Sequence, residues 1–174
     1  MQETIVTRDA LPDDLPRIVD IYNQTIPSRM VTADLAPVSV DSRRTWFAEH
    51  TSQRRPLWVV EQKGLTVGWL SYQSFYGRPA YAATAEISLY LDAKHRGQGL
   101  GRIVLQRAID HASRLGLRNL LGFIFLHNTP SLALFERFGF ARWGTLPDVA
   151  ELDGVRRTLV IVGLALKETP GVSC

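Results

Sequence analysis

The 174 residues hold one cysteine, Cys174, at the last position. An internal disulfide is therefore excluded. This suits a reducing compartment, and the expected location is cytoplasmic. Cys174 is not expected to act as a nucleophile, because a chain end holds no catalytic geometry. Long apolar runs are missing too. The longest, such as Leu159 to Leu166, fall far short of the roughly 20 residues that span a bilayer, so no membrane partner is expected. The segment Met1 to Arg8 has no basic region followed by an apolar core, and no signal peptide is expected. Charge of one sign is not concentrated anywhere. The net charge is +3, and the arginine pairs 43–44, 54–55 and 156–157 are scattered, so no nucleic-acid partner is expected. His50, His95, His111 and His127 show no metal spacing with Cys, Asp or Glu, and no metal is expected. No Gly-x-Ser-x-Gly elbow supports a hydrolase.

What is present is ordinary globular material, 45% hydrophobic and 21% charged, with no repeat and no low-complexity segment. One domain over residues 1–168 is expected, with a short tail at 169–174. Ile5 to Arg8 reads as a strand. Leu15, Ile18, Val19, Tyr22 and Ile26 follow at helical spacing, after a start at Asp13, Asp14 and Pro16. Residues 27–40 read as a loop. A second helix opens at Asp41 or Ser42 and runs to about Thr51, with Trp46 and Phe47 inward. Leu57 to Gln62 and Thr66 to Phe75 are expected strands joined by Lys63-Gly64. After a turn at Tyr76 to Pro79, Ala82 to Leu91 is a third strand, in the middle of an antiparallel meander. Leu100 to Leu115 is the clearest helix, with a stripe of Leu100, Ile103, Val104, Ala108, Ile109, Ala112 and Leu115, closed by Gly116. Asn119 to Leu126 reads as a strand buried on both faces. Asn128 to Ser131 starts another helix, with Leu134, Phe135 and Phe138 inward and Gly139 at its end. Ala141 to Gly144 and Thr158 to Leu166 close the chain, with Asp153-Gly154 a turn between them. The fold class is α/β of the α+β type: a mixed, mainly antiparallel central sheet flanked by helices.

His95-Arg96-Gly97-Gln98-Gly99-Leu100-Gly101 lies between a strand and the long helix. Glycines permit positive φ and close backbone approach, and a helix start offers unpaired amides at its positive end. Together they suit a phosphate or pyrophosphate. A Walker loop would end Gly-Lys-Ser/Thr, whereas this one ends Gly101-Arg102-Ile103. A dinucleotide fingerprint would need glycine at 102.

The pattern Arg/Gln-x-x-Gly-x-Gly/Ala, met here by Arg96, Gly99 and Gly101, resembles the GNAT acyltransferase superfamily. The resemblance extends over nearly the whole chain and includes Thr84 to Leu91, Asn128-x-x-Ser131 and Phe138-Gly139-Phe140. Asp20-Ile21-Tyr22-Asn23 and Glu86 make it most similar to the phosphinothricin and methionine sulfoximine acetyltransferase branch. The resemblance implies the GNAT fold and acetyl-coenzyme A as acyl donor. It also implies a small amino-acid-like amine as acceptor, direct attack in a ternary complex, and a homodimer. By resemblance, backbone groups of Leu89, Tyr90 and Leu91 hold the pantetheine arm. Amides from Arg96, Gly97, Gln98, Gly99, Leu100 and Gly101 hold the pyrophosphate. Asn128 and Ser131 contact the pantetheine region, and both also suit plain helix capping.

Glu86 is the expected general base. Strand alternation puts it with Thr84, Ser88 and Tyr90 on one face, opposite the apolar Ala83, Ala85, Ile87, Leu89 and Leu91. A carboxylate amid a largely apolar strand is costly unless paired or functional. Two positions depart from the branch. Where relatives offer tyrosine or histidine as an acid to the leaving thiolate, Phe135 stands, leaving Tyr90 or solvent. Where relatives bind the substrate carboxylate with arginine before the catalytic strand, Ala82-Ala83 stands. Phe75, Tyr76 and Tyr81, with Arg78 nearby, suggest an acceptor pocket with aromatic walls or ordinary turn packing. His127 reads as a satisfied polar residue. A protein or peptide N-acetyltransferase, or a non-catalytic acyl-coenzyme A sensor, stand as alternatives.

Overall fold

The computed structural model describes residues 4–167. Cys174 and the tail at 169–174 lie outside the described residues. Seven strands form one sheet in the order β1-β2-β3-β4-β5-β7-β6. They are β1 (Ile5–Asp9), β2 (Leu57–Gln62), β3 (Leu65–Ser74), β4 (Thr84–Leu91), β5 (Asn119–Phe125), β6 (Ala141–Leu152) and β7 (Val155–Ala165). The helices are α1 (Leu15–Asn23), α2 (Arg44–Ala48), α3 (Leu100–Ala112) and α4 (Thr129–Arg137). The α+β reading therefore holds, but β4, expected in the middle of an antiparallel meander, ends it: β4 pairs antiparallel with β3 and parallel with β5, in an otherwise antiparallel ladder.

Helices cover both faces of the sheet. On one face Trp69 Nε1 donates to Ile18 O of α1 at 3.0 Å, over Ile21, Leu57 and Val59. On the other, Tyr72 Oη donates to Ala108 O of α3 at 2.7 Å. That second core collects Val104, Leu105, Leu120, Leu132, Phe135 and Val160.

Three local expectations shift. In α3, Ile103 is exposed and Leu105 is fully buried. At 100° per residue, Leu100, Gly101, Val104, Leu105, Ala108 and Ala112 span an arc of about 140°, and Ile103 lies beyond its flank. Apolar character alone had placed Ile103 in the stripe. Strand β6 runs on to Leu152, past Gly144, because two bulges, at Arg142/Gly144 and Leu146/Ala150, absorb Pro147 and the positive φ of Asp148. Asp153 and Gly154, both at positive φ, then form a tight hairpin turn rather than part of a long loop. Strand β4 starts at Thr84, not Ala82, after a 3₁₀ turn at Pro79–Tyr81. The buried Arg55 guanidinium donates to Ala82 O at 2.9 Å and Thr84 O at 3.4 Å, closing the end of the β3–β4 ladder.

Phe135 is core. It is 6% exposed and meets Phe140 edge-on at 4.9 Å. A Cβ on Gly122 of β5 would stand 2.9 Å from Phe135 Cε1 and 3.0 Å from Val162 Cγ2. Gly122→Ala should therefore destabilise the fold by about 1–3 kcal/mol through overpacking. Thermal unfolding should show a fall of roughly 2–4 °C per kcal/mol at this size, partly recovered by adding Phe135→Leu.

Candidate active site

Strands β4 and β5 pair over Thr84–Asn119, Ala85–Leu120 and Glu86–Leu121, and then part. Beyond that point β4 keeps β3 as a neighbour through Leu91, while β5 keeps β7 through Phe125. Asp92 N–H donates to Val67 O on the β3 side, and Ala83 O accepts from Asn119 N–H on the β5 side. Alternation therefore turns the backbone groups of Ile87, Leu89 and Leu91 toward the missing neighbour. The gap is a shallow open cleft of about 50 Å³, lined by Ile87 to Tyr90, Phe123, Asn128 and Ser131 among others. Asn128 is buried and caps α4, its Oδ1 accepting from Ser131 N–H at 3.3 Å.

The glycine turn stands at the end of this cleft. Gly97 (φ 74°) and Gly99 (φ 81°) are left-handed, which favours glycine at both. Gly99 caps α3, and its carbonyl takes the amides of Arg102 and Ile103. The amides of Leu100 and Gly101 come before the first intrahelical donor, Arg102, and so have no acceptor within the helix. Gly101 lies close against neighbours; a Cβ there would approach Leu134 Cδ2 at 3.2 Å. Arg96 Nε donates to Leu91 O at 3.1 Å, and Gln98 Nε2 to Lys94 O at 3.2 Å.

Asp92 ties this turn to α1. Its carboxylate accepts from Arg17 Nη2 (2.6 Å), Lys94 N–H (2.9 Å) and Gln24 Nε2 (3.2 Å), with His95 Nδ1 at 3.2 Å. Gln24 Oε1 accepts in turn from Ala93 N–H at 3.0 Å. Burial alone would raise the Asp92 pKa, but Arg17 and the other donors outweigh it and hold the group well below the usual carboxylate range.

On the α1–α2 face, a cavity of about 180 Å³ opens over the even-numbered side chains of β4. Glu86, Ser88 and Tyr90 line it with Gln73, Trp46 and Arg43. Tyr90 stacks on Trp69 at 4.4 Å and 18° and lies 5.2 Å from Tyr22. Burial pushes the Glu86 carboxyl up, slightly opposed by Ser88 Oγ, which donates to it at 3.5 Å. Burial also pushes the Tyr90 hydroxyl up. Ser88 and Tyr90 line both the cavity and the cleft, so the two spaces meet at β4.

Glu86, Leu89, Tyr90, Leu91, Arg96 to Gly101, Asn128 and Ser131 thus gather around one strand and its following turn. Phe75, Tyr76 and Arg78 do not reach the Glu86 cavity. They sit at the far β3–β4 turn, where Phe75, Tyr76 and Tyr81 pack within 4.4–6.0 Å of one another and Tyr76 is 77% exposed. A second cavity of about 370 Å³, lined by Gln73, Ser74 and Gly77 among others, borders that turn. His127 Nε2 meets Arg29 O at 2.8 Å, as a satisfied polar residue. Among the described residues, no group of three or more His, Cys, Asp or Glu could hold a metal ion.

The sequence reading passed over Arg43 and the loop around it. The Tyr22-Asn23 pair explains how that loop is held. Asn23 exchanges two 2.9 Å hydrogen bonds with the Val38 backbone, and Tyr22 Oη bonds Asp34 and Thr32. Val38 then lines the Glu86 cavity. The signal was present as a local motif, but its partners lie 10–15 residues away in a segment without periodicity.

A donor that is both strand-like and doubly anionic would fit the parted strands and the glycine turn together. Coenzyme A carries an amide-bearing pantetheine arm and a pyrophosphate. Fold and site therefore define an acyl-coenzyme A-dependent transferase. Comparison with known proteins supplies the family: the Acetyltransferase (GNAT) family matches residues 16–140, and the chain belongs to it. It is 53% identical over 154 residues to YwnH of Bacillus subtilis, whose assignment as a phosphinothricin acetyltransferase is provisional; the match covers 88% of this chain and 94% of that one. It is 32% identical over 163 residues to an L-methionine sulfoximine/L-methionine sulfone acetyltransferase of Pseudomonas aeruginosa, covering 93% and 95%. A Sinorhizobium meliloti phosphinothricin acetyltransferase solved with acetyl-coenzyme A superposes with a TM-score of 0.87 at 27% identity, covering 97% and 95%. The protein is an acetyl-coenzyme A-dependent N-acetyltransferase of the phosphinothricin and methionine sulfoximine acetyltransferase-like branch.

The Asp92 cluster predicts acid sensitivity. A carboxyl with a depressed folded pKa adds stability that is present above its unfolded value, about 3.9. That stability is lost as pH falls through the lower folded value. Asp92→Asn should therefore lower the unfolding midpoint at pH 6–7, and the gap to wild type should close as pH falls below about 4. Chemical denaturation across pH checks this; a gap that does not change with pH would contradict it.

Proposed function

We propose that the protein moves the acetyl group of acetyl-coenzyme A to the amine of a small amino-acid-like molecule of the phosphinothricin or methionine sulfoximine type, with Glu86 as general base. One observation carries the reading. Glu86 is a partly buried carboxylate with no ion-pair partner within 4 Å among the described residues, in the cavity that meets the cleft at Ser88 and Tyr90. The small acceptor is supported by the cavity's size, about 180 Å³, below the roughly 300–1,000 Å³ of drug-sized ligand sites. The names of the relatives point the same way.

Acetyl-coenzyme A supplies a thioester whose carbonyl carbon accepts the amine. Leu89 and Leu91 turn backbone groups toward its pantetheine arm, whereas the Tyr90 backbone, expected to join them, faces β3; Asn128 and Ser131 flank that arm. The turn from Arg96 through Gly97, Gln98, Gly99 and Leu100 to Gly101 binds the pyrophosphate through amides and the helix dipole. Glu86 takes a proton from the acceptor's ammonium, directly or through one water, and so frees the nitrogen lone pair for direct attack in a ternary complex. Its raised pKa brings it nearer the amine's and improves proton transfer. Phe135 has no proton to give. Tyr90, whose burial keeps its hydroxyl protonated, holds one for the leaving sulfur. The far-turn residues Phe75, Tyr76 and Arg78 line neither this cavity nor the one beyond Gln73, so the acceptor role expected of them is not carried into this reading.

The proposed setting is cytoplasmic, with one domain over residues 1–168. The proposed assembly is a homodimer. Trp143, Leu146 and Val149 on the outer strand β6 are 50%, 40% and 55% exposed, an apolar row that a second copy would cover. Light scattering after size exclusion should give twice the chain mass; a monomer would contradict the dimer.

Glu86→Gln should lower kcat by about 10²–10⁴-fold, with little change in acetyl-coenzyme A affinity. Wild-type activity should rise with pH as the carboxylate loses its proton, on a limb lying above the ordinary carboxylate range. The variant should lack that limb. Thiol release followed across pH measures both, and an unchanged kcat and pH profile would remove Glu86 from the role of base.

A further inference from the structure

We infer that Arg43 is the positive pole of the acceptor cavity and the residue that selects acceptors carrying a free carboxylate. The inference rests on the reading of the cavity as the acceptor site. Arg43 immediately precedes α2 and lines the same cavity as Glu86. Arg54 and Arg55 lie elsewhere, and Arg78 is exposed on the far turn, so Arg43 is the cationic side chain in that lining.

Its guanidinium is held in a fixed plane. The Cζ atom lies 4.8 Å over the Tyr22 ring and 6.0 Å from the Trp46 ring. Nη2 donates to Asp34 Oδ2 at 3.0 Å, and Asp34 is itself anchored by the Tyr22 hydroxyl. A guanidinium has five N–H donors. This one makes a single hydrogen bond among the described residues, and its side chain is 29% exposed. The remaining donors form an edge with the flat, two-pronged geometry that matches a carboxylate.

The charges of the cavity lining are then Glu86 on β4 and Arg43 beside α2, with Asp34 behind Arg43. The remaining lining is neutral: Tyr22, Trp46, Trp69 and Tyr90 as aromatic wall, Ile18, Val19 and Val38 as apolar surface, and Ser71, Gln73 and Ser88. A zwitterion has the complementary arrangement, with its ammonium toward Glu86, its carboxylate toward Arg43 and an uncharged side chain against the rings. A simple amine or an amide-capped peptide would leave the guanidinium edge without an anion in a partly dry site, which is costly. Arg43 is thus a specificity-determining residue for acceptors that carry an α-carboxylate. Ala82-Ala83 at the start of β4 leaves that task to another element.

The test compares L-methionine sulfone with its carboxamide and its decarboxylated amine, for wild type, Arg43→Gln and Arg43→Lys. Wild type should favour the amino acid by about 10²-fold in kcat/KM, the range expected for a charge-assisted contact. Arg43→Gln should lose that preference, with KM for the amino acid rising about 10²-fold while kcat/KM for the decarboxylated amine falls much less or rises, and the affinity for acetyl-coenzyme A is kept. Arg43→Lys keeps the charge and the packing and should retain part of the preference. An equal loss on all three acceptors in both variants would assign Arg43 to folding alone. An intact preference in Arg43→Gln would also overturn the inference. Failure of wild type to acetylate any of a wider set of α-amino acids would instead sink the underlying reading of the acceptor.

Discussion

The parting of β4 from β5 after Glu86 and Leu121 is the constraint on which the site depends. Each strand is held along its far side, β4 by β3 and β5 by β7, so neither can follow the other. The backbone groups of Ile87, Leu89 and Leu91 turn toward the gap, where Leu91 O already accepts from Arg96 Nε, and open backbone groups at a sheet edge are a template for another strand-like partner. The same pleat that points odd-numbered backbone groups into the cleft sends Glu86, Ser88 and Tyr90 to the opposite cavity. In the proposed reading one strand serves donor and acceptor together, and the meeting point follows from a period of two.

The ionic structure divides along the same line. Away from the cavity, charges are matched closely. Arg8 bridges Asp14 and Glu61 at 2.7 Å each, and Asp92 collects Arg17 together with amide donors. These pairs hold α1 and the glycine turn against the sheet. Glu86 has no such cation within reach, and the nearest hydroxyl, Ser88, is at the limit of a hydrogen bond. Partial burial pushes the Glu86 carboxyl up, which costs stability and suits proton transfer.

Much of this was legible in the chain. The order of strands and helices, the glycine turn and the face carrying Glu86 follow from periodicity, from capping residues and from glycines at required backbone conformations. What failed to show was of two kinds. Ile103 and Leu105 exchanged places because hydrophobicity names candidates for a stripe while helix rotation chooses among them. The extent of β6 beyond Gly144 was hidden because two bulges break its alternation, one of them around Pro147 and Asp148. Tyr22 and Asn23 were visible as a motif, yet their effect, pinning Val38 and Asp34, was not.

By itself the sequence determined the donor side of this enzyme. A glycine turn at a helix start and an alternating strand are local features, and local backbone geometry is written in neighbouring residues. The acceptor side was decided by tertiary structure. Arg43 and Glu86 are 43 positions apart and belong to different elements. They line one cavity because α2 and the tethered loop lie across the even face of β4. No spacing encodes that approach, since it comes from packing Trp46, Trp69, Tyr90 and Tyr22 against one another, an interaction between side chains distant in the chain.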